Sequence, residues 1–361
     1  MAGLRILIAG GGTGGHIIPA LAVARELVSR RQAEVLFVGT PRGLESKLVP
    51  AAGFELRLIH VGQFKNVSLA TKLSTLFDLP RAIFACRRIL QEFQPNAVLS
   101  VGGYASAPAA IASILRRIPT MAFEPNAMPG LANRLIGKHA AAAAVNFPAA
   151  APFFANAEVT GIPVRQEFFA LAPPPSSPPH LLVFGGSQGA RIFNANMPII
   201  ARALLDAVPG LSILHQSGPR HLDVTLQAYQ NSGADPARWQ VEAFLDDMPA
   251  RFAPANLVLA RSGASTVAEL AAAGKPSLLV PFAAAADNHQ KRNAEELVKV
   301  GAALMLEEPE LASPDKLLQT LTSLLRDPSR LEAMSAAART QAHPGAAERI
   351  ANRLAELASH R

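Results

Sequence analysis

Two glycine-rich turns constrain this chain more than any other feature. GGGTGGH at residues 10–16 and GGSQGAR at residues 185–191 each follow a short apolar run, residues 4–9 and 180–184, and each precedes a helical pattern. Strand, glycine turn and helix in that order open a parallel α/β unit. Glycine lets the chain turn tightly and brings backbone amides together at a helix N-terminus. Meeting the unit twice predicts one fold used in tandem. The length of 361 residues agrees, since single cores stop growing near about 250–300 residues.

Similar runs at residues 34–38, 97–101, 119–123, 212–216, 257–260, 277–281 and 302–306 predict further strands. Helical spacing falls at 20–29, 107–115, 265–273, 288–300, 316–325 and 346–357. Short apolar runs separated by helices imply parallel strands covered on both faces. The expected class is α/β, with two Rossmann-like, doubly wound parallel-sheet domains. GIPVR at 161–165 marks the break, and the proline-rich residues 173–179 read as an extended surface connection. The expected domains are 1–161 and 162–345, followed by a helix at 346–361 that caps the second domain or packs back on the first.

Hydrophobic residues make up 50% of the chain and charged residues 17%, against a usual charged share of about 25%. Such a chain buries a large core and is not disordered. A lone cysteine, Cys86, excludes an intrachain disulfide framework and a thiolate-rich metal cluster. Cys86 and the lone Trp239 both read as packing residues. No run approaches about 18 uninterrupted apolar residues, and the N-terminal run is short for a signal peptide. A cytoplasmic protein that does not span the membrane is expected.

The net charge of +7 is unevenly spread. Residues 1–160 hold 16 Lys and Arg against 8 Asp and Glu, and the rest hold 18 against 19. The excess suits a first half that meets a membrane surface, a phosphorylated substrate or a nucleic acid, or serves solubility alone. There is no aromatic-rich basic strand and no recognition-helix pattern, so no nucleic-acid partner is expected.

Gly10, Gly12 and Gly15 satisfy G-x-G-x-x-G, with Glu34 at a plausible distance for a dinucleotide fold. His16, at the mouth of that turn, reads as a base near neutral pH or as a histidine bonded to backbone. Ser187 and Gln188 occupy the second turn. In RSGASTVAE (261–269), Ser265 and Thr266 are placed to cap a helix. Glu269 suits a ribose diol, or simply the positive end of the helix. His289 and Gln290 in DNHQKRNA suit sugar hydroxyls, with capping by Asp287 or Asn288 as the plainer reading. Glu124 and Asn126 lie in FEPNAMPG (123–130), flanked by apolar residues.

Taken in order, GGGTGGH, GGYAS, EPNAMPGLANR, GIPVR, FGGSQGAR, LDDM, RSGASTVAE and DNHQ followed by NA resemble the MurG family. These are the peptidoglycan glycosyltransferases that add N-acetylglucosamine to lipid I, and the resemblance runs over essentially the whole chain. It implies a GT-B fold whose two domains face a central cleft, with UDP-N-acetylglucosamine on the C-terminal domain and lipid I on the N-terminal one. It implies inverting transfer to the muramyl 4-hydroxyl to give lipid II, with no metal and no cofactor. The lack of an Asp-x-Asp motif agrees with metal-free transfer.

Carried onto this sequence, the resemblance sets Arg165 and Ser187 at the donor's phosphates and the Leu245 backbone at uracil. Ala264, Ser265, Thr266, Val267, Ala268 and Glu269 then follow the ribose and diphosphate. His289 and Gln290 match the positions that read the sugar; many relatives carry Gln at the first of them. Thr13, Gly14, Gly15 and Asn126 match positions near the transferred sugar. His16 matches the candidate base, with Glu124 as the alternative.

Residues 65–88 mix apolar and cationic side chains. Lys65, Leu69, Lys72, Leu73, Leu76, Phe77, Leu79 and Arg81 are the expected contacts with an anionic membrane, or else amphipathic helices whose leucines fill the core. The resemblance favours a peripheral protein on the cytoplasmic face of the inner membrane, near other cell-wall synthesis proteins. Three other readings remain: a GT-B transferase with another lipid acceptor, a dinucleotide-dependent oxidoreductase, and a non-catalytic nucleotide-sugar sensor.

Overall fold

The computed structural model describes residues 3–61, 69–103, 105–173 and 177–359, with side chains in the helix Leu69–Phe93 placed from residue 78 onward. The chain divides into two compact units. One takes in the chain up to Pro163 and from Gly345 onward, and the other is Val164–Pro344.

In the first unit, seven strands lie parallel in the order β3-β2-β1-β4-β5-β6-β7. They are β1 (Arg5–Ala9), β2 (Glu34–Gly39), β3 (Glu55–Leu58), β4 (Ala97–Ser100), β5 (Thr120–Glu124), β6 (Ala142–Val145) and β7 (Ala157–Val159). The central strands are apolar along their length because helices cover both faces. Leu7, Leu36 and Val98 pack with Cys86 and Leu90 of helix Leu69–Phe93 and with Ala109 of helix Ser106–Leu115. Cys86 is therefore a packing residue, and burial pushes its thiol up to about 12. The C-terminal helix, Ala346–Ser359, belongs to this unit. Glu348 pairs with Arg30 at 2.7 Å, Arg31 donates to Asn352 at 3.0 Å, and Arg349 donates to the Thr160 carbonyl at 2.6 Å.

The second unit holds β8 (His180–Phe184), β9 (Ser212–Gln216), β10 (Trp239–Glu242), β11 (Leu257–Ala260), β12 (Ser277–Leu279) and β13 (Ala303–Met305). These six strands are also parallel, in the order β10-β9-β8-β11-β12-β13. One cluster joins Leu181, Val183 and Leu259 of the sheet to Phe193, Met197 and Leu204 of helix Arg191–Ala207 and to Leu317 and Leu321 of helix Pro314–Leu325. Trp239, the first residue of β10, is half-buried against Tyr229, with ring centroids 5.0 Å apart.

In each sheet the strand order reverses at one place: beside β1 toward β4, and beside β8 toward β11. Ligands of open α/β sheets bind outside the carboxyl ends of the strands at such reversals. Both glycine turns follow the strands at these points. Among the described residues, no helix is long and apolar enough to cross a membrane.

Candidate functional site

Register sets the first cluster. Ala9 pairs with Val38 and with Ser100, so the loops after β1, β2 and β4 leave the sheet side by side. Gly10 N–H donates to Val38 O at 3.0 Å and Gly11 N–H to Gly102 O at 3.3 Å. A Cβ on Gly103 would stand 2.2 Å from Gly11 O, so the two loops touch through bare backbone. Thr13 is the N-cap of helix Gly14–Arg31, and its carbonyl accepts from His16 N at 3.2 Å and Ile17 N at 3.3 Å. Thr13 is exposed and His16 half-buried, with the imidazole against Gly102. The structure thus brings Thr13, Gly14, Gly15 and His16 together at a helix N-terminus, where amides and the helix dipole favour negative charge.

Sequence reasoning missed a buried carboxylate in this cluster. Glu45, 1% exposed, opens helix Glu45–Ala51 and accepts from Gly12 N–H at 2.7 Å and from the Thr40 amide and hydroxyl at 2.9 Å each. In sequence it resembles any acid in a first helical turn.

Glu124 ends β5 and is buried. One carboxylate oxygen accepts from Asn126 N–H at 3.0 Å and Asn126 Nδ2 at 3.1 Å. The other accepts from Gly130 N–H at 3.0 Å and Asn133 Nδ2 at 2.9 Å. Burial raises its proton affinity, against these donors. The carboxylate ties the turn carrying Asn126 to the end of the strand.

In the second unit, Phe184 pairs with Ala260, so the loop after β8 lies beside residues 261–264. The second glycine turn closes on backbone: a Cβ on Gly189 would meet Ser217 O at 1.9 Å. Ser187 and Gln188 are exposed in this turn, just before Ala190 caps helix Arg191–Ala207. Ser265 and Thr266 are not caps. Gly263 holds that position, and both lie in the first turn of helix Ala264–Ala273 with Ala264 and Val267, while Ala268 and Glu269 follow in the second. Arg165 caps the short helix Gln166–Phe169, and its charge is felt at Glu269. Burial pushes the Glu269 carboxyl up to about 7, and the Arg165 guanidinium pulls the other way. Leu245 is buried, and the neighbouring Phe244 is 48% exposed.

The turn after β12 is strained. Asp287 and Asn288 have φ of +54° and +53°, which costs energy in non-glycine residues. Asn288 caps helix His289–Lys299 with no side-chain bond. The turn aims two polar side chains. His289 Nδ1 bonds Ala286 O at 2.7 Å, and Gln290 Oε1 accepts from Phe282 N–H at 3.0 Å. Arg261, quoted in a motif but given no role, holds this region. It donates to the carbonyls of Val280 and Pro281 at 3.1 Å each, pairs with Glu308, and stacks on Phe282 at 5.3 Å.

Lys65 lies outside the described residues, as do the side chains of Leu69, Lys72, Leu73, Leu76 and Phe77. Leu79 is half-buried and Arg81 exposed. Phe84, 72% exposed, and Leu115, 74% exposed, are apolar side chains in open positions that sequence reasoning did not single out. Among the described residues, no group of three or more His, Cys, Asp or Glu side chains is placed to share a metal ion.

Two parallel-sheet units, each with a glycine turn at its strand-order reversal, make up the GT-B fold of a large class of glycosyltransferases. Residues 6–145 match the Glycosyltransferase family 28 N-terminal domain and residues 180–350 the Glycosyltransferase family 28 C-terminal domain. The chain belongs to this family. A relative in Solibacter usitatus (strain Ellin6076) is 45% identical over 98% of this chain and 96% of its own length. One in Anaeromyxobacter sp. (strain K) is 44% identical over 99% of this chain and 94% of its own. Both are named UDP-N-acetylglucosamine–N-acetylmuramyl-(pentapeptide) pyrophosphoryl-undecaprenol N-acetylglucosamine transferase. The crystal structure of Acinetobacter baumannii MurG superposes with a TM-score of 0.82 at 29% identity, covering 98% of this chain and 99% of that one.

Proposed function

We propose that this chain transfers N-acetylglucosamine from UDP-N-acetylglucosamine to the muramyl 4-hydroxyl of undecaprenyl-diphospho-MurNAc-pentapeptide, lipid I, and so forms lipid II. The observation that carries the donor assignment is the half-buried Glu269 beside Arg165 at the second strand-order reversal. A carboxylate there accepts from both ribose hydroxyls, and a guanidinium beside it meets phosphate. The acceptor assignment is supported by the names of relatives that match over nearly the full chain.

In this reading the acceptor hydroxyl attacks the anomeric carbon and the bond to the UDP oxygen breaks. One displacement inverts that carbon and gives a β-1,4 bond. His16 takes the hydroxyl proton, since a histidine accepts protons near neutral pH. Glu124 holds the Asn126 turn instead, because both of its oxygens already accept bonds from that turn. Charge growing on the departing diphosphate is met by Arg165, Ser187 and the N-terminus of helix Arg191–Ala207. Ala264, Ser265, Thr266, Val267 and Ala268 line the ribose and diphosphate, Leu245 meets uracil through its backbone, and exposed Phe244 offers the base a stacking face. His289 and Gln290 bind sugar hydroxyls, and Thr13, Gly14, Gly15 and Asn126 lie toward the transferred sugar.

The lipid end calls for a bilayer contact on the cytoplasmic face of the inner membrane. Exposed Phe84 and Leu115, with Arg81, Arg87, Arg88 and Arg117 exposed on the same two helices or just beyond them, suit an anionic surface. The test is UDP release from UDP-N-acetylglucosamine in a chelator, with and without a lipid I analogue. Acceptor-dependent release is expected. Donor binding without release would leave a sensor. Release that needs diacylglycerol rather than lipid I would point to another acceptor.

A further inference from the structure

We infer that Glu45 is a positioning residue for the transfer reaction: an internal anion seated in the first glycine turn that holds Thr13–His16 in reacting shape. The inference rests on reading His16 as the base.

Three glycines make room for this one side chain. A Cβ on Gly11 would stand 2.2 Å from the Glu45 carboxyl carbon, one on Gly39 2.4 Å from Cγ, and one on Gly43 2.0 Å from Oε2. Glycine turns at this place in α/β folds offer their amides to a ligand phosphate. Here the protein's own carboxylate takes the amide of Gly12, at 2.7 Å. The Gly12 carbonyl is also held, by Leu44 N–H at 3.4 Å. Gly12 is thus gripped on both its polar groups by the segment that opens helix Glu45–Ala51.

Gly12 directly precedes Thr13, the N-cap of the helix whose first turn carries His16. A shift at Gly12 therefore moves the imidazole. The other carboxylate oxygen holds Thr40, so the turn after β1 is pinned to the loop after β2. Charge-assisted bonds to a buried carboxylate are stronger than neutral ones, which suits a part that must not drift. The same carboxylate occupies the Gly12 amide, so that one amide is not offered to an anionic ligand.

Glu45→Gln separates the grip on Thr40 from the grip on Gly12. Its amide oxygen still serves Thr40, while its NH2 meets the Gly12 amide donor to donor. The expected result is a fall in kcat of about ten- to a hundredfold. Donor KM and UDP-N-acetylglucosamine affinity by calorimetry should stay near wild type, Tm should fall by a few degrees for the unpaired Gly12 amide, and Glu45→Ala should lose more. His16→Ala is measured beside it. Unchanged kcat in Glu45→Gln next to a collapsed His16→Ala would overturn the positioning role and leave the base in place. Parallel losses of kcat, donor affinity and Tm would make Glu45 a general structural residue and also overturn it. Turnover retained in His16→Ala would remove the base assignment and this inference with it.

Discussion

The imidazole of His16 lies over the Cα of Gly102, where a Cβ would stand 3.0 Å from Cε1 and 3.2 Å from Nδ1 of the ring. Gly102 also has a φ of +86°, which side-chain-bearing residues rarely adopt. Gly102→Ala should therefore tilt the ring as well as strain the loop after β4. We expect kcat to fall about tenfold or more, with donor affinity kept. Steady-state kinetics beside donor calorimetry tests this, and a wild-type kcat would mean that the ring orientation does not matter.

Glu269 gives donor binding a pH dependence with a defined sign. Burial places its carboxyl at about 7, against the pull of Arg165. Both ribose hydroxyls donate strongly to the carboxylate, whereas the protonated form keeps only its neutral carbonyl oxygen as a good acceptor. Affinity for UDP-N-acetylglucosamine should thus rise from pH 6 to pH 8, level off above, and settle on a weaker plateau well below the midpoint. Glu269→Gln should bind more weakly and show a flat profile. A flat wild-type profile by calorimetry would remove the carboxylate from the ribose.

Much of this architecture is readable from sequence, and the gaps have physical causes. The buried central strands β1, β4, β8 and β11 show as apolar runs because both their faces are covered. Strand β6, Ala142–Val145, is three alanines and a valine, with little β-branched signal to separate it from a helix. Strand β3, Glu55–Leu58, is exposed along most of its length at the sheet edge, so no apolar run betrays it. The glycine turns and the polar motifs after each strand are legible because chemistry sits beside chain reversals. Glu45 is not, because only the three-dimensional approach of Gly11, Gly39 and Gly43 reveals what its carboxylate does. Ser265 and Thr266 read as caps since such residues favour that position, yet Gly263 takes it at the close of the turn.

Gln290 is oriented by the bond from Phe282 N–H to Oε1, so its NH2 is the group left to meet a ligand. Gln290→Glu keeps the bond to Phe282 and loses the donor. Donor KM should rise about tenfold or more while Tm stays near wild type. Gln290→Met, which loses both, should also loosen the turn and lower Tm. Equal donor KM in the Glu variant and wild type would show that Gln290 acts only on its own backbone.

His215 makes the second unit sensitive to acid. The ring is fully buried, with Nδ1 bonded to Tyr229 Oη at 3.1 Å, and burial lowers its pKa to about 3. The unfolded chain takes up a proton near pH 6.5 that the folded chain refuses. Stability therefore falls as pH drops from about 6.5 toward 3, by about 1.4 kcal/mol per pH unit from this group. Lys275 acts at the other end of the scale. Burial and then Arg339 lower its pKa to about 8, so stability gains as pH rises from about 8 toward 10. Trp239, the one tryptophan, lies in this unit against Tyr229 and reports its unfolding directly. Glu269, raised to about 7 in the same unit, works the other way over this range. Urea melts followed by tryptophan emission should therefore show His215→Phe gaining stability relative to the wild type between pH 7 and pH 5. An equal change in both would place the acid-sensitive group elsewhere.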